Sequence, residues 1–559
     1  MKQLIECVPN FSEGNNLEII NQITDAIASV EGIKLLNVDP GKATNRTVVT
    51  FVGEPQAATE AAFRGISKAA ELIDMTKHKG EHPRMGATDV CPFIPVANIT
   101  MEETAAWSKK LAERVGAELF IPVYLYEESQ SDKSRSNLSG IRAGEYEGFA
   151  KKILLPEWKP DFGPSQFPAK HGDTVMGARD FLIAYNVNIN SKSVKRANSI
   201  AFDIREAGRI KKDENGKNII DANGNEVREP GKLKGVKAIG WYIEEYSVAQ
   251  VSINITQFKD TPLHIVFDEC CNSAYARGYR VTGSEMVGLV PLSAMIDAGK
   301  YFLEKQKLSS GVSDAELIHI AVKSMGLDEL GPFDPNKKII EYVMNEGVQG
   351  QLIKMDLTKF ADETASESPA PGGGSIAAYA GALGASLGTM VANLSSSKSG
   401  WETRWKEFSD WANKGQKLKN QLLALVDEDT NAFNGIMNAF KLPKNTAEEK
   451  STRTQAIQAA TKYAMDIPFK TMEVAYECFD LVEYMVANGN PNSVTDAAVG
   501  GLCIRTAILG AGLNVKVNAA SFKDENYKTE LLGKVDKLIA DTEIREKAMM
   551  EKVKAAIEN

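Results

Sequence analysis

The residues with the clearest chemical potential lie between Ile73 and Asp89, in a segment that cannot form one regular element. Gly80 and Pro83 interrupt any helix, so His82 is held on a loop. A histidine titrates near neutral pH and can accept a proton in one step and return it in another. The segment therefore predicts an acid–base site, and an ordinary charged surface loop is the alternative.

Two histidines of this loop, His78 and His82, also have the i, i+4 spacing of a helical metal pair. Gly80 and Pro83 argue against a helix there, so no metal site is expected.

A second candidate, Asp429, lies within a pattern typical of one helix face. The pattern has steps of four and three residues and comprises Leu422, Val426, Asp429, Phe433, Ile436 and Phe440. A carboxylate on an apolar stripe costs free energy unless it has partners, and desolvation raises its pKa. We therefore predict an acid–base carboxylate, and a buried aspartate held in a structural hydrogen bond is the alternative.

The segment Pro371-Gly-Gly-Gly-Ser375 precedes a stretch rich in small residues. Amides at a helix start can face an anionic ligand, and glycines permit close backbone approach. The candidate binding residues are Gly372, Gly373, Gly374 and Ser375. Ser493 and Asp496 have capping-box spacing, so Asp496 is either a helix cap or a site residue.

The first half of the chain must position these groups with alternating strands and helices. A β-α-β-β-α-β order runs from Leu4 to Val96, a further helix and strand reach Tyr126, and a similar sequence of elements runs from Phe181 to Arg277. This order is typical of a split βαβ, ferredoxin-like sandwich. We expect two α/β lobes, residues 1–180 and 181–330, with the active cleft between them.

A linker is predicted over 331–351, and residues 352–559 are predicted to form an all-α helical bundle. Two segments rich in glycine and alanine, Ile376 to Leu394 and Thr495 to Ala520, are expected to cross closely, within or between subunits of a homo-oligomer. Ile376 to Leu394 carries no charge, but its small residues suit helix packing better than lipid contact. No membrane span is expected.

An insertion, Asp213 to Asn225, contains two Asn-Gly steps that favour tight reversals. We predict an exposed hairpin; an acidic calcium loop would need a distal Glu ligand that the spacing lacks.

Composition limits the function classes. A hydrophobic content of 43% and a charged content of 25% are typical of a soluble globular protein. The net charge of −9 argues against nonspecific nucleic-acid binding. The six cysteines show no metal or redox spacing, and the first residues lack an apolar signal core. A cytoplasmic protein is expected.

Several motifs resemble a known family. The segments Glu6 to Gly14, Thr44 to Thr47, Cys91 to Val96 and Asp161 to Ser165, with the loop around His82, resemble glutamate formimidoyltransferase. The segments Pro371 to Ser375 and Leu425 to Asp429 resemble formimidoyltetrahydrofolate cyclodeaminase. The chain is similar over nearly its whole length to the fused, bifunctional formimidoyltransferase-cyclodeaminase family.

The resemblance implies that a formimidoyl group moves from N-formimidoyl-L-glutamate to N5 of tetrahydrofolate, with His82 as the base. Asp429 matches the acidic catalyst that closes N10 onto the formimidoyl carbon and releases ammonia. It also places folate on the stretch Gly163, Pro164, Ser165, Gln166, Phe167, Pro168, Ala169, Lys170, His171 and Gly172; an interlobe linker is the alternative. Tetrahydrofolate, with or without a polyglutamate tail, is the cosubstrate.

Polar residues of short turns are further substrate-binding candidates, namely Asn10, Asp39, Asn45, Arg46 and Arg84. A guanidinium matches a carboxylate bidentately, and turn chemistry is the alternative for each. Lys441 and Lys444 are candidates for a polyglutamate tail, and an exposed turn is their alternative.

Two competing functions remain at this point. The transferase could use a formyl donor such as N-formylglutamate, because a carbonyl oxygen and an imine nitrogen differ by one atom. The chain could also be a folate-binding scaffold without turnover. No dinucleotide fingerprint or metal cluster is apparent in the sequence.

Overall fold

The computed structural model describes residues 3–42, 44–80, 83–221, 224–344 and 352–558. Predicted site residue His82, Asn223 of the insertion and the end of the predicted linker (345–351) lie outside the described residues. The chain forms two compact units. The first comprises residues 1–295 and 325–346, and the second comprises 296–324 and 347–559.

The strands belong to the first unit. They are β1 (Leu4–Cys7), β2 (Asn10–Phe11), β3 (Lys34–Gly41), β4 (Arg46–Gly53), β5 (Thr88–Ala97), β6 (Val123–Glu127), β7 (Thr174–Ala178), β8 (Ile183–Ile189), β9 (Arg209–Ile210), β10 (Arg228–Glu229), β11 (Val236–Ile243), β12 (Val248–Ile255) and β13 (Val281–Val287).

The helices occur in both units. They are α1 (Leu17–Ala28), α2 (Pro55–Leu72), α3 (Met101–Glu118), α4 (Leu138–Ile141), α5 (Glu145–Lys152), α6 (Val194–Ile204), α7 (Leu263–Tyr275), α8 (Leu292–Lys305), α9 (Asp314–Met325), α10 (Pro335–Lys338), α11 (Ile340–Met344), α12 (Leu357–Ala365), α13 (Gly373–Ser396), α14 (Trp405–Phe440), α15 (Ala447–Asn488), α16 (Val494–Ala519) and α17 (Glu525–Glu558).

The first lobe, β1 to β7, is built on a ferredoxin-like sheet. β5, β1, β4 and β3 are neighbours in that order and antiparallel, as a split βαβ sandwich requires. β7 and β6 extend the sheet in parallel beyond β5, giving seven strands in total. Helices α1 to α3 cover one face with a core that includes Phe11, Ile66, Phe93 and Leu111.

The second lobe, β8 to β13, repeats this arrangement with the order β11-β12-β8-β13. Inward-facing side chains alternate along its strands: Tyr185, Val187 and Ile189 of β8 are fully buried. Helices α6 and α7 pack on the lobe's sheet. The two repeats confirm the predicted pair of ferredoxin-like lobes.

The insertion in the second lobe forms an exposed antiparallel pair, β9 with β10, extended by the bridges Lys212↔Asn218 and Ile220↔Glu226. Gly216 and Gly224 adopt positive φ at its turns, as the Asn-Gly steps predict.

The second unit contains the predicted helical bundle, α12 to α17. α13 and α16 cross closely, since a Cβ added to Gly384 would lie 2.7 Å from the carbonyl oxygen of Gly500. This contact confirms the predicted crossing of the two small-residue helices.

By length and hydropathy alone, Gly373–Ser396 and Pro491–Ala519 could each cross a membrane. Their most apolar windows are 61% and 50% buried inside the protein, and core helices of bundles pass the same test.

Candidate active sites

The first site lies where β2, β4 and β5 of the first lobe present polar residues beside the loop that follows α2. Asn10 and Thr88–Val90 are paired across a β-bulge, because Asn10 lies opposite Val90 while Phe11 lies opposite Thr88. Asp89 is the extra residue of that bulge. A bulge re-aims a side chain, and here it turns the Asp89 carboxylate toward Arg46.

Asp89 is fully buried between two arginines. Its Oδ2 accepts hydrogen bonds from Arg46 Nη1 and, at 2.6 Å, from Arg142 Nη2, while its Oδ1 accepts from the backbone N–H of Met85 at 3.1 Å. Arg46 also donates to Oδ1 of Asn10 at 2.7 and 3.0 Å. Burial, partly offset by Asp89, lowers the pKa of Arg46. We call Asn10, Arg46, Asp89 and Arg142 the arginine clamp.

The loop preceding this clamp is fixed by His78 and Arg84. His78 Nε2 lies 2.9 Å from the carbonyl oxygen of Asn45, and Arg84 Nε donates to His78 Nδ1 at 3.1 Å. The carbonyl of Asn45 only accepts and the guanidinium of Arg84 only donates, so these contacts match Nε2 as the donor and Nδ1 as the acceptor. Arg84 makes a bidentate pair with Glu147 of α5, at 2.6 and 2.9 Å.

The predicted folate-binding stretch is joined to the same loop. The backbone N–H of Ala87 donates to the carbonyl of His171 at 2.8 Å, and Gly86 pairs with Gly172. Gly172 has a φ of +66°, and a Cβ there would lie 2.3 Å from the carbonyl oxygen of Met85. At the other end Gly163 has a φ of +84° and packs against Ile121 in the same way.

Inside this stretch the side chains divide between core and surface. The ring of Phe167 packs against Tyr146 and Phe149, with centroids 5.4 and 5.7 Å away. Lys170 donates to the carbonyl of Glu71 at 2.8 Å, and burial lowers the pKa of half-buried His171. The remaining members, Pro164, Ser165, Gln166, Pro168 and Ala169, are exposed or half-buried.

The structure thus brings Asn10, Arg46, Arg84 and the stretch 163–172 together. Asn45 lies in a positive-φ turn, and its side chain bonds Gly14, Asn15 and Lys79, so it serves the turn itself. Asp39 is exposed on β3. Sequence reasoning missed Asp89 and Arg142, although an aspartate near the start of an otherwise apolar strand was a usable signal.

The second site lies at the start of α13. Asp429 of α14 accepts a hydrogen bond from Ser375 Oγ at 3.1 Å, and Ser375 Oγ also reaches the carbonyl of Val426 at 3.0 Å. A Cβ on Gly374 would lie 2.1 Å from Asp429 Oδ1, so only glycine leaves room for the carboxyl group. Asn514 of α16 borders the same space, with its Nδ2 3.5 Å from a Cβ placed on Gly373.

Burial raises the pKa of Asp429, and hydrogen bonds from the hydroxyl and backbone N–H of Ser375 partly offset that rise. The backbone N–H groups at the start of α13 were expected to hold an anionic ligand. One of them instead holds the protein's own carboxylate, at the positive end of the helix dipole.

The neighbouring acidic residues have structural partners. Asp427 Oδ1 accepts the backbone N–H of Leu352 at 2.6 Å, and Glu428 accepts the Tyr463 hydroxyl. Of the acidic triplet on α14, Asp429 alone points toward the glycine-rich helix start.

The apolar stripe on α14 is buried only in part. It faces the core at Leu422 and Val426, and Ile436 packs against the same core, but Phe433 is 38% and Phe440 50% exposed. Beyond Asp429 the small residues Ala432 and Ala439 take the buried positions. Ser493 makes no side-chain cap to α16, so the capping box with Asp496 is not formed. Asp496 lies half-buried in the first turn of that helix.

Lys441 and Lys444 are exposed in the turn between α14 and α15. No group of three or more His, Cys, Asp or Glu residues is arranged to hold a metal within the described parts of the chain.

Comparison with known proteins finds the same family for both halves of the chain. The chain matches "Formiminotransferase domain, N-terminal subdomain" over residues 4–179, "Formiminotransferase domain" over 184–345 and "Formiminotransferase-cyclodeaminase" over 356–537. Formimidoyltransferase-cyclodeaminase of Gallus gallus is 43% identical over 542 residues, which is 97% of each chain.

Shorter relatives match each half. Glutamate formimidoyltransferase of Thermoplasma acidophilum is 42% identical over 310 residues, 55% of this chain and 95% of its own. Methenyltetrahydrofolate cyclohydrolase of Methylorubrum extorquens is 36% identical over 198 residues, 35% of this chain and 95% of its own.

Proposed function

The chain belongs to the formimidoyltransferase-cyclodeaminase family, and from that premise we propose that its two sites catalyse successive steps of folate-dependent histidine degradation. The first site transfers the formimidoyl group from N-formimidoyl-L-glutamate to N5 of tetrahydrofolate. The second converts 5-formimidoyltetrahydrofolate to 5,10-methenyltetrahydrofolate and ammonia. The observation that carries this proposal is the presence of both sites in one chain that aligns end to end with bifunctional relatives.

In the transfer step N5 attacks the amidine carbon, and the bond from that carbon to the glutamate nitrogen breaks. N5 loses a proton and the departing glutamate nitrogen gains one. A neutral imidazole can move this proton, which is the role proposed for His82. The arginine clamp supplies guanidinium groups beside the loop that carries His82, and these suit the carboxylates of the glutamate donor.

In ring closure N10 attacks the same carbon, and the amidinium cation becomes the methenyl cation and ammonia. One proton leaves N10 and one reaches the departing nitrogen. Asp429 suits both transfers because its raised pKa makes it a weaker acid than an exposed aspartate. Ser375 and Gly374 fix the position of its carboxyl group.

Incubation of the full chain with N-formimidoylglutamate and tetrahydrofolate tests this function. The methenyl product is followed by absorbance, and ammonia is measured separately. Both should form in equal amounts. Replacing the donor with N-formylglutamate tests the formyl alternative, because that donor cannot release ammonia. A protein that binds folate but forms neither product would be a scaffold.

The folate is proposed to carry a polyglutamate tail for the second site. Lys441 is exposed at the C-terminal end of α14, about 18 Å along the helix from Asp429 at 1.5 Å per residue, and exposed Lys444 follows in the turn after the helix. That separation exceeds the reach of a single glutamate, so the lysines would meet a later residue of the tail. Higher ring-closure activity on the pentaglutamate substrate than on the monoglutamate would support this. The double variant Lys441→Ala, Lys444→Ala should lose that preference.

A homo-oligomer is proposed from the outer face of α13 and α16. Leu383, Met390 and Leu394 of α13 and Val499 and Leu502 of α16 are each 38–50% exposed. Leu383 and Val499 adjoin the Gly384–Gly500 crossing, so the two apolar stripes lie next to each other. A second copy of the same surface is its matching occupant. Leu383→Glu with Val499→Glu should lower the mass measured by light scattering.

A cytoplasmic location is proposed because the six cysteines are free thiols, four of them buried. Fractionation of the source cells would test it.

The cyclohydrolase relative favours a second candidate activity for the helical unit. In that reaction water, rather than ammonia, adds to the methenyl carbon of 5,10-methenyltetrahydrofolate. The products are 10-formyltetrahydrofolate and a proton. Decay of methenyl absorbance that depends on Asp429 would support it.

A further inference from the structure

The sheet of the second lobe has one face covered by helices and one face that carries amide side chains. Asn186 and Asn188 alternate with the fully buried Tyr185 and Val187 along β8, so the asparagines lie on the opposite face of the sheet. Asn188 and Gln250 are fully buried and Asn186 is 5% exposed. Buried amides need partners, and these form one connected network.

The network crosses the sheet in a fixed direction. Trp241 Nε1 donates to Gln250 Oε1 at 3.0 Å, and Gln250 Nε2 donates to Asn188 Oδ1 at 2.8 Å. Asn188 Nδ2 then donates to Glu329 Oε2 at 2.6 Å. An indole only donates and a carboxylate only accepts, so both ends fix how the amides are turned.

A second row runs beside the first. Ile239, Ser252, Asn186 and Glu285 lie opposite one another on successive strands. Asn186 Nδ2 donates to Glu285 Oε2 at 3.2 Å, and Gln250 Nε2 lies 3.4 Å from the same oxygen. Among the residues that the structure describes, none donates to Glu285 Oε1 or to Asn186 Oδ1. Two acceptors thus remain side by side at the β13 end.

The β11 end of this face is apolar. Ile239 is 53% exposed and Trp241 is half-buried, with its ring held by Gln250. From β11 to β13 the face spans three strand spacings, about 14 Å. Phe167 of the predicted folate-binding stretch packs its ring against Tyr146 and Phe149, so an aromatic surface for folate is needed elsewhere.

We propose that Trp241, Glu285 and Asn186 of this face bind the ring system of tetrahydrofolate, and that the fully buried Asn188 and Gln250 hold the network in place beneath them. The 2-amino-4-oxopyrimidine edge of the pterin presents adjacent N–H donors to Asn186 and Glu285, and the benzoyl ring lies on Trp241. This inference rests on the proposed transferase function and names the residues that select its acceptor substrate.

An amidinium group presents the same N–C–N edge, so the formimidoyl donor shares this chemistry. Its few atoms cannot occupy both the acceptors and the apolar end of a face about 14 Å wide. The pterin is therefore the favoured source, and separate kinetics for the two substrates distinguish them.

The test uses the full chain, with tetrahydrofolate and N-formimidoylglutamate varied separately. Trp241→Leu and Glu285→Met should each raise KM for tetrahydrofolate about tenfold or more. KM for N-formimidoylglutamate should stay within about twofold. Glu285→Gln keeps one carbonyl oxygen and should cause a smaller rise, which guards against loss through misfolding. Thr282→Ala, on an exposed site of β13, is the matched control.

Inhibition by p-aminobenzoylglutamate, which lacks the pterin, resolves the two ends. Trp241→Leu should weaken this inhibition, and Glu285→Met should leave it unchanged. An equal rise in both KM values, or a rise for the formimidoyl donor alone, would overturn the proposal. So would a lower unfolding temperature with unchanged KM values, since it would make the network structural. A wild-type chain without transfer would instead refute the proposed function.

Discussion

Each unit holds an aspartate at its candidate site, and the two carboxyl groups have different kinds of hydrogen-bond partner. Asp89 is fully buried but lies between Arg46 and Arg142. Asp429 is less buried. Among the described residues, Ser375 donates hydrogen bonds to its carboxyl group from the hydroxyl and from the backbone N–H. Two cations hold a carboxylate ionised, whereas neutral donors leave it able to exchange a proton.

We therefore propose different roles for the two carboxylates. Asp89 orients guanidinium groups, so the first site needs a separate proton carrier, for which His82 is the proposed residue. Asp429 is proposed to combine a fixed position with proton exchange in one residue.

Replacing His82, the proposed proton carrier, should slow the transfer step and leave ring closure intact. His82→Ala should lower the transfer rate about a hundredfold to ten-thousandfold, the range for a positioned acid–base group. Ring closure of supplied 5-formimidoyltetrahydrofolate should continue, and rapid-quench assays of each step measure both. Near-normal transfer by the folded variant would remove His82 from the mechanism.

Removing the charge of Asp89 should damage structure as well as transfer. Asp89→Asn leaves Arg46 and Arg142 without their common anion, and breaking a buried pair costs about 3–5 kcal/mol. Hydrogen exchange of the β4 and β5 amides measures this locally. Asp429→Asn should leave exchange near α13 almost unchanged, because no lysine or arginine in the described parts of the chain forms an ion pair with that carboxyl group. Equal protection losses in both variants would erase the contrast.

Displacing Asp429 without changing its chemistry should slow ring closure. Gly374→Ala puts a Cβ 2.1 Å from Asp429 Oδ1, so the carboxyl group must move. A displacement of about 1 Å can cost about a hundredfold in rate. Gly435→Ala on α14 is the control, because a Cβ there has nothing within 4 Å. Ammonia release by the two variants decides whether position matters.

The smallest effect concerns pH. The hydroxyl of Ser375 stabilises the ionised form of Asp429, so Ser375→Ala should raise the pKa of Asp429 further. The carboxylate is the form that accepts the N10 proton, and its population falls as pH decreases through that pKa. The acid limb of the ring-closure rate should therefore move to higher pH, while the transfer profile stays in place. A limb moved to lower pH would contradict the assignment.

Much of the architecture could be predicted from sequence because it depends on periodicity. The element order of both lobes and the long helices follow local patterns, and α15 spans Ala447–Asn488 as its pattern indicates. The close crossing of α13 and α16 followed from their small residues. The exposure of Phe433 and Phe440 could not be predicted, because Ala432 and Ala439 take the buried positions there and a pattern of large apolar residues does not reveal that.

The first site was less accessible to sequence reasoning. Asp89 reaches Arg46 through a bulge that alternation does not indicate, and Arg142 arrives from a short helix 53 residues later. Asn45 was a reasonable substrate-binding candidate, but its turn uses the side chain. Candidate residues named by local polarity thus included clamp members and turn residues alike.

The domain limits also need a structural criterion. Lys34 of β3 donates to the carbonyl of Val343 at 2.6 Å, and Val290 pairs with Ile339. A transferase fragment ending at residue 330 would lose these contacts, so a fragment that retains α11 is the better test of independent folding.

The most direct test of the account compares Asp429→Asn with Asp427→Asn at equal folded concentration, following 5-formimidoyltetrahydrofolate and ammonia after N-formimidoylglutamate is added. Asp427 caps the backbone at Leu352 and lies outside the second site. The account predicts that Asp429→Asn transfers normally, accumulates 5-formimidoyltetrahydrofolate and releases almost no ammonia, while Asp427→Asn releases ammonia at close to the wild-type rate. Wild-type ammonia release by Asp429→Asn, or its loss in Asp427→Asn instead, would contradict the account.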